Sequence, residues 1–193
     1  MPAPNPLAPL TPLARRIRAS DQSAFADVFA ALREPLLRYA HGIVGDGDAA
    51  HDLVQDVFLA LWEGRAGLDP DVSLPPFLYR MARNRALNHL RDRRLHDAKH
   101  DGLRLEAAVG EEHADGLDAE ALGTRLQTWI GALPERQREA LTLTRERGLS
   151  HHEAAAVMNV SPRTLNNHIV RALARLHARI ALYAPDLVRP SHR

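Results

Sequence analysis

Residues 149–176 read LSHHEAAAVMNVSPRTLNNHIVRALARL, and their punctuation predicts a short helix, a tight turn and a longer helix. Ser150, with Glu153 three positions on, is a capping-box pair. Each side chain can satisfy a backbone donor that the first helical turn leaves without a partner. Asn159 falls where the first helix must stop, and Asn is second to Gly in tolerating the left-handed backbone of such a stop. Ser161 and Pro162 restart a helix, the serine as N-cap and the proline at the first helical position, where its missing N–H removes no hydrogen bond. Two helices on so short a turn match the helix-turn-helix, whose second helix enters the DNA major groove.

What the second helix hides and shows agrees with this. Leu165, Ile169, Ala172, Leu173, Leu176 and Ile180 recur at helical spacing and form one apolar stripe. At about 100° per residue, the opposite face carries Arg163, Thr164, Asn167 and Arg171, with Asn166 and His168 on its flanks. From Ala154 to Pro185 there is no acidic residue, while Arg163, Arg171, Arg175 and Arg179 all fall inside. A helix that is merely solvated normally mixes both signs of charge. This one reads as a DNA-contacting helix.

The chain has 193 residues and no cysteine. That excludes a disulfide scaffold and thiolate metal sites, and it fits a reducing cytoplasm. No apolar run approaches the roughly 20 residues needed to span a bilayer. Residues 1–19 open with a proline-spaced stretch and are expected to be a disordered lead. Net charge is only +1, so its distribution carries the information. Arg80, Arg83, Arg85, Arg91, Arg93 and Arg94 crowd one segment, and the C-terminal helix is a second basic block. Between them, residues 96–123 hold eight acidic residues, among them Asp101, Glu111 and Glu112, with few large apolar side chains; this reads as a flexible linker. The expected fold is all-α: two small helical domains, 20–95 and 124–183, joined by the acidic linker and followed by a tail, 184–193.

The first domain shows helical periodicity and no convincing strand alternation. Phe25, Val28, Phe29, Leu32, Leu36 and Leu37 predict helical structure interrupted near Pro35, and residues 41–48 mark a break. A helix over 48–63 turns Ala50, Leu53, Val54, Val57, Phe58, Leu61 and Trp62 inward. Its other side shows Asp52, Gln55, Asp56, Leu59 and Glu63 in a narrow arc. On the residues alone, that arc suits a solvated acidic face and a docking surface equally well. Residues 64–76 are rich in glycine and proline and read as a loop. A helix from about Phe77 to Leu95 packs Leu78, Met81, Ala82, Leu87 and Leu90 inward. Its outer side is expected to offer Arg80, Arg83, Asn84, Asn88, Arg91 and Arg94, with Phe77 and Tyr79 nearby. Such a face suits a nucleic acid, with arginines neutralising phosphates and asparagines bonding bases.

In combination, these segments resemble the bacterial RNA polymerase sigma factors of the extracytoplasmic-function type, a group of the sigma-70 family. The resemblance spans about residues 20–180. It rests on four motifs in the family's order: DLVQDVFLALW at 52–62, FLYRMARNRALN at 77–88, LPERQR at 133–138 and the helix-turn-helix. The resemblance implies that Asp52, Gln55, Asp56, Leu59 and Glu63 dock on the coiled coil of the polymerase's largest subunit, and that the flap region is a further polymerase contact. It implies that Arg80, Arg83, Arg91 and Arg94 hold phosphates of the separated strand. Phe77, Tyr79 and Asn88 serve the minus-ten element and its melting, and Asn84 with loop 64–76 captures a flipped base, whose lost stacking costs a few kcal/mol. Arg163, Thr164, Asn166, Asn167, His168, Arg171 and Arg175 would face the minus-thirty-five element. The linker would thread the polymerase cleft. Implied partners are core RNA polymerase, promoter DNA and a membrane-linked anti-sigma factor. No cofactor, metal, catalytic residue or small-molecule substrate is implied, and the setting would be cytoplasmic, with nucleoid association in the holoenzyme.

The sequence departs from the common pattern at Asn159, where many members carry glycine, and at Ala154–Ala156, but neither breaks a helix-turn-helix physically. A gated helix-turn-helix regulator acting without polymerase is the alternative, but it needs a sensory domain with strands, and residues 21–95 show none. An enzyme is disfavoured. There is no HExxH motif, phosphate-cradling glycine loop or nucleophile elbow, and neighbours such as His151 and His152 point about 100° apart on a helix.

Overall fold

The structure, a computed structural model, describes residue 10 and residues 13–97 and 119–185. Most of the expected N-terminal lead, linker residues 98–118 and tail residues 186–193 lie outside the described residues. Among the described residues every regular element is helical.

Helix α1 (Leu13–Arg18) falls inside the stretch expected as a lead, and its Leu13, Ala14 and Ile17 are buried. Spacings of one and four place these three on one side of a helix, which packs on α2 (Gln22–Val44). Asp21 caps α2, accepting from the backbone N–H of Ser23 at 2.9 Å and of Ala24 at 3.1 Å. Bonds from the Arg16 side chain and from these amides hold its carboxyl below the usual range.

The interruption expected at Pro35 does not occur, and α2 runs straight through it. Proline in a helix interior costs about 3 kcal/mol. On either side, however, Leu32, Leu36, Tyr39 and Ala40 are all buried, and each leucine contributes about 1.5–3 kcal/mol by leaving water. Tertiary burial therefore outweighs the missing N–H. The break comes later, at Gly45, whose φ of 71° ends the helix and whose N–H bonds the carbonyl of His41 at 2.8 Å.

Asp46 caps α3 (Gly47–Glu63) through the N–H of Ala49. A single 3₁₀ turn (Arg65–Gly67) and a short loop lead to α4 (Leu74–Asp97), which starts earlier than expected. Pro75 and Pro76 fall in its first turn, where backbone N–H groups have no intrahelical partner to lose. The second unit comprises α5 (Ala119–Gly131), α6 (Glu135–Leu141), α7 (His151–Met158) and α8 (Pro162–Tyr183). Helix α6 runs on into a π-helical turn, Thr142–Glu146, closed by the N–H of Arg147 on the carbonyl of Thr142 at 3.0 Å. The two units pack against each other, with α7 lying on α4.

Candidate nucleic-acid interface

The turn between α7 and α8 is built as its residues dictate. The Ser150 N–H donates to Glu153 Oε2 at 2.9 Å, and the Glu153 N–H donates to Ser150 Oγ at 3.2 Å. Asn159 sits at φ 53° and ψ 50°, in the left-handed region. Ser161 Oγ accepts from the Thr164 N–H at 3.0 Å, with Pro162 in the first turn of α8. Leu165, Ile169, Ala172 and Leu176 are buried and fix the roll of α8. Leu173, expected in the stripe, is 43% exposed. It lies roughly 70° from the stripe's centre, at its edge.

With the roll fixed, Arg163, Thr164, Asn166, Asn167, Arg171 and Arg175 are exposed, and His168 is half-buried on the flank. The Thr164 hydroxyl lies 2.8 Å from Ser161 Oγ, so it also serves the cap.

Helix α4 departs from expectation at two residues. Arg80, Asn84, Asn88, Arg91 and Arg94 are exposed and Phe77 is half-buried, with the Arg80 guanidinium 5.9 Å from its ring centroid. Tyr79, however, is 1% exposed and Arg83 only 5%. The cause is that α4 is covered on two sides, by α2 and α3 within its own unit and by α7 from the other. Tyr79 packs edge-on against Tyr39, ring centroids 5.2 Å apart, and burial pushes its phenol up to about 12. Arg83 Nε donates to Glu139 Oε1 of α6 at 2.6 Å, and the Tyr39 hydroxyl donates to the same oxygen at 2.8 Å. Arg136 lies 3.6 Å from the other oxygen. Desolvation, then the nearby Glu139 carboxylate, raise the Tyr39 phenol well above its ordinary value.

Tyr39 and Glu139 are not among the site residues that the sequence suggests. A partial signal was present: Tyr79, Ala82, Arg83 and Ala86 fall at helical spacing, and small alanines on such a face mark close packing. Loop residue Ser73 is also engaged across the units, its hydroxyl 3.3 Å from Glu153 Oε1.

On α3, Asp52, Gln55, Asp56, Leu59 and Glu63 are all exposed, Leu59 by 54%. They lie opposite Val54, Val57, Phe58 and Leu61, which are buried. Among the described residues no group of three His, Cys, Asp or Glu side chains could hold a metal ion, and no helix is long and apolar enough to cross a membrane.

Two helical units with outward basic helices, one of them a helix-turn-helix, define a promoter-reading transcription factor. Comparison with known proteins agrees region by region. Residues 28–96 match the model of sigma-70 region 2, and residues 124–176 that of sigma-70 region 4. The RNA polymerase sigma factor CnrH of Cupriavidus metallidurans is 30% identical over 175 residues, covering 86% of this chain and 91% of the relative. Two solved structures share the architecture. CnrH in complex with the cytosolic domain of CnrY has a TM-score of 0.60 and 26% identity, over 88% of this chain and 96% of that one. The sigma factor RpoE in complex with the anti-sigma factor NepR, from Bartonella quintana, has 0.63 and 25%, over 80% and 94%. The chain belongs to the sigma-70 family of RNA polymerase sigma factors, in its extracytoplasmic-function group. As such it binds core RNA polymerase and directs promoter-specific initiation of transcription.

Proposed function

We propose that the work is divided by helix. Arg163, Thr164, Asn166, Asn167, His168, Arg171 and Arg175 of α8 read the minus-thirty-five element in the major groove. On α4, Asn84 and Asn88 meet minus-ten bases, Phe77 supports the unstacked strand, and Arg80, Arg91 and Arg94 hold its phosphates. Tyr79 and Arg83, being buried, support the helix and its seam with α6 instead of touching DNA. The α3 arc docks on the coiled coil of the polymerase's largest subunit, and the second unit meets the flap region. The protein acts in the cytoplasm, on the nucleoid when in holoenzyme, and performs no chemistry of its own. The similar structures of CnrH with CnrY and of RpoE with NepR support a further partner. This chain is held inactive by an anti-sigma factor of that class, linked to the membrane.

One observation carries this division: an acid-free outward face on α8 and an exposed acidic arc around Leu59 on α3 occur in the same chain. A simple DNA-binding regulator needs the first and has no use for the second. Asp56→Arg or Leu59→Arg should cut co-elution with core polymerase by at least about tenfold, the effect of one disrupted interfacial contact, with an unchanged circular dichroism spectrum. Retained binding would remove the arc from the docking surface.

A further inference from the structure

We propose that Ser20 and Arg65 are positioning residues for minus-ten base selection, and that through them α1 holds the base-capture loop in the shape that selects a base. This rests on the assignment of loop 64–76, with Asn84, to the capture of a flipped base.

The loop has little to hold it from within. Between α3 and α4 its backbone makes the 3₁₀ turn, Arg65–Gly67, and a further turn in which the Val72 N–H donates to the Asp69 carbonyl at 3.2 Å. Leu68 is buried, while Ala66, Gly67, Asp69 and Asp71 are exposed. A pocket that discriminates bases needs walls held to within about half an ångström, so the shape must be imposed from outside. Helix α1 packs on the 3₁₀ turn, and its residues reach both ends of the loop. Arg65 Nε donates to Ser20 Oγ at 2.9 Å, and Arg15 forms an ion pair with Asp71. The ion pair is exposed and therefore weak. Arg65 is the anchor, because its planar guanidinium is fixed on more than one side. Nη1 donates to the Trp62 carbonyl at 2.6 Å, and the guanidinium carbon lies 4.3 Å from the Trp62 ring centroid. Trp62 is in turn edge-on to Phe25 of α2, with ring centroids 5.1 Å apart.

The backbone at Ser20 carries the second observation. The Asp21 N–H bonds the carbonyl of Arg16 at 3.0 Å, and the Ser20 N–H bonds that of Ile17 at 2.8 Å. These are the two bonds of a Schellman motif, which puts Ser20 at the position that glycine usually fills. Its φ is 63°, in the left-handed region, where a side chain is strained. Glycine would relieve that strain but has no hydroxyl to receive Arg65. The corner is otherwise well held, since the Asp21 carboxylate caps α2 and accepts from Arg16 Nε at 2.8 Å. Arg65 is thus tied to a fixed point.

The test uses holoenzyme reconstituted from the full chain and core polymerase. It selects from a randomised duplex DNA library, and the minus-ten element it recovers is then varied base by base. Asn84→Ala marks the captured position by flattening preference there. Ser20→Gly should flatten the same position about tenfold, the size of one lost base contact. Its denaturation midpoint should stay level or rise, and core polymerase should still co-elute. Ser20→Ala should flatten that position equally, which separates the missing hydroxyl from the looser glycine backbone. Arg65→Ala should do likewise, and Arg65→Lys, which keeps the charge without the planar fork, should not restore preference. If Asn84→Ala flattens a position that the Ser20 and Arg65 variants leave sharp, the positioning role is wrong and base capture stands. If Asn84→Ala flattens none, base capture fails and the positioning role falls with it. If the Ser20 variants weaken all positions alike, or lose core polymerase, the contact is merely structural and the positioning role is overturned.

Discussion

Asn159 shows how much one residue can state. A left-handed stop between two helices favours Gly and Asn over other side chains, and the observed φ of 53° is that conformation. Such information is local, which is why the capping box of Ser150 and the cap of Ser161 could be read without a structure. Arg171 is legible for a related reason. Its exposure follows from the phase of Leu165, Ile169, Ala172 and Leu176 on the same helix. Arg171→Ala should therefore cost about 1–3 kcal/mol at one position of the upstream promoter element and relax preference there. Footprinting on a promoter with that base pair varied would check it. Arg83 is the opposite case, since nothing near it in sequence announces a carboxylate 56 positions away.

At the scale of the element, the phases of α3 and α8 were well determined, whereas the ends of α2 and α4 were not. Helix α2 is the clearest example. Proline is a strong local stop, yet Leu32, Leu36, Tyr39 and Ala40 keep the helix continuous through it because each is buried. Pro35→Ala should accordingly stabilise the protein, by about 1–2 kcal/mol. It restores the N–H bond to the carbonyl of residue 31 and relieves the ring's clash, while the freer unfolded chain takes part of the gain back. A fall in denaturation midpoint would mean that the proline sets a bend on which the packing depends. The early start of α4 has the same lesson in reverse. Pro75 and Pro76 read as breakers, but in a first turn they are harmless.

At the scale of the whole molecule, the seam between the units gathers the two tyrosines with displaced ionisation. Both phenols are raised, Tyr79 to about 12 against an ordinary 10.0. The folded state thus prefers the neutral form. The stability this contributes is complete below pH 10.0, the unfolded value, and is lost for Tyr79 as pH rises towards 12. Denaturation midpoints should fall across that window, and phenolate absorbance should appear later than for a free tyrosine. Tyr79→Phe should flatten the Tyr79 part of the decline. An ordinary titration of all three tyrosines would show that the seam is open in solution.

The sequence by itself determined the all-helical class, the helix-turn-helix and the outward faces of α3 and α8, because periodicity and caps are written within a few residues of where they act. Only the tertiary structure decided which side of α4 is free. That side depends on α6 and α7, distant in the chain, whose Glu139 and Glu153 close over Arg83 and Ser73. A helix's own pattern records that it has an apolar side, but not whether a second surface will come to lie against its polar one.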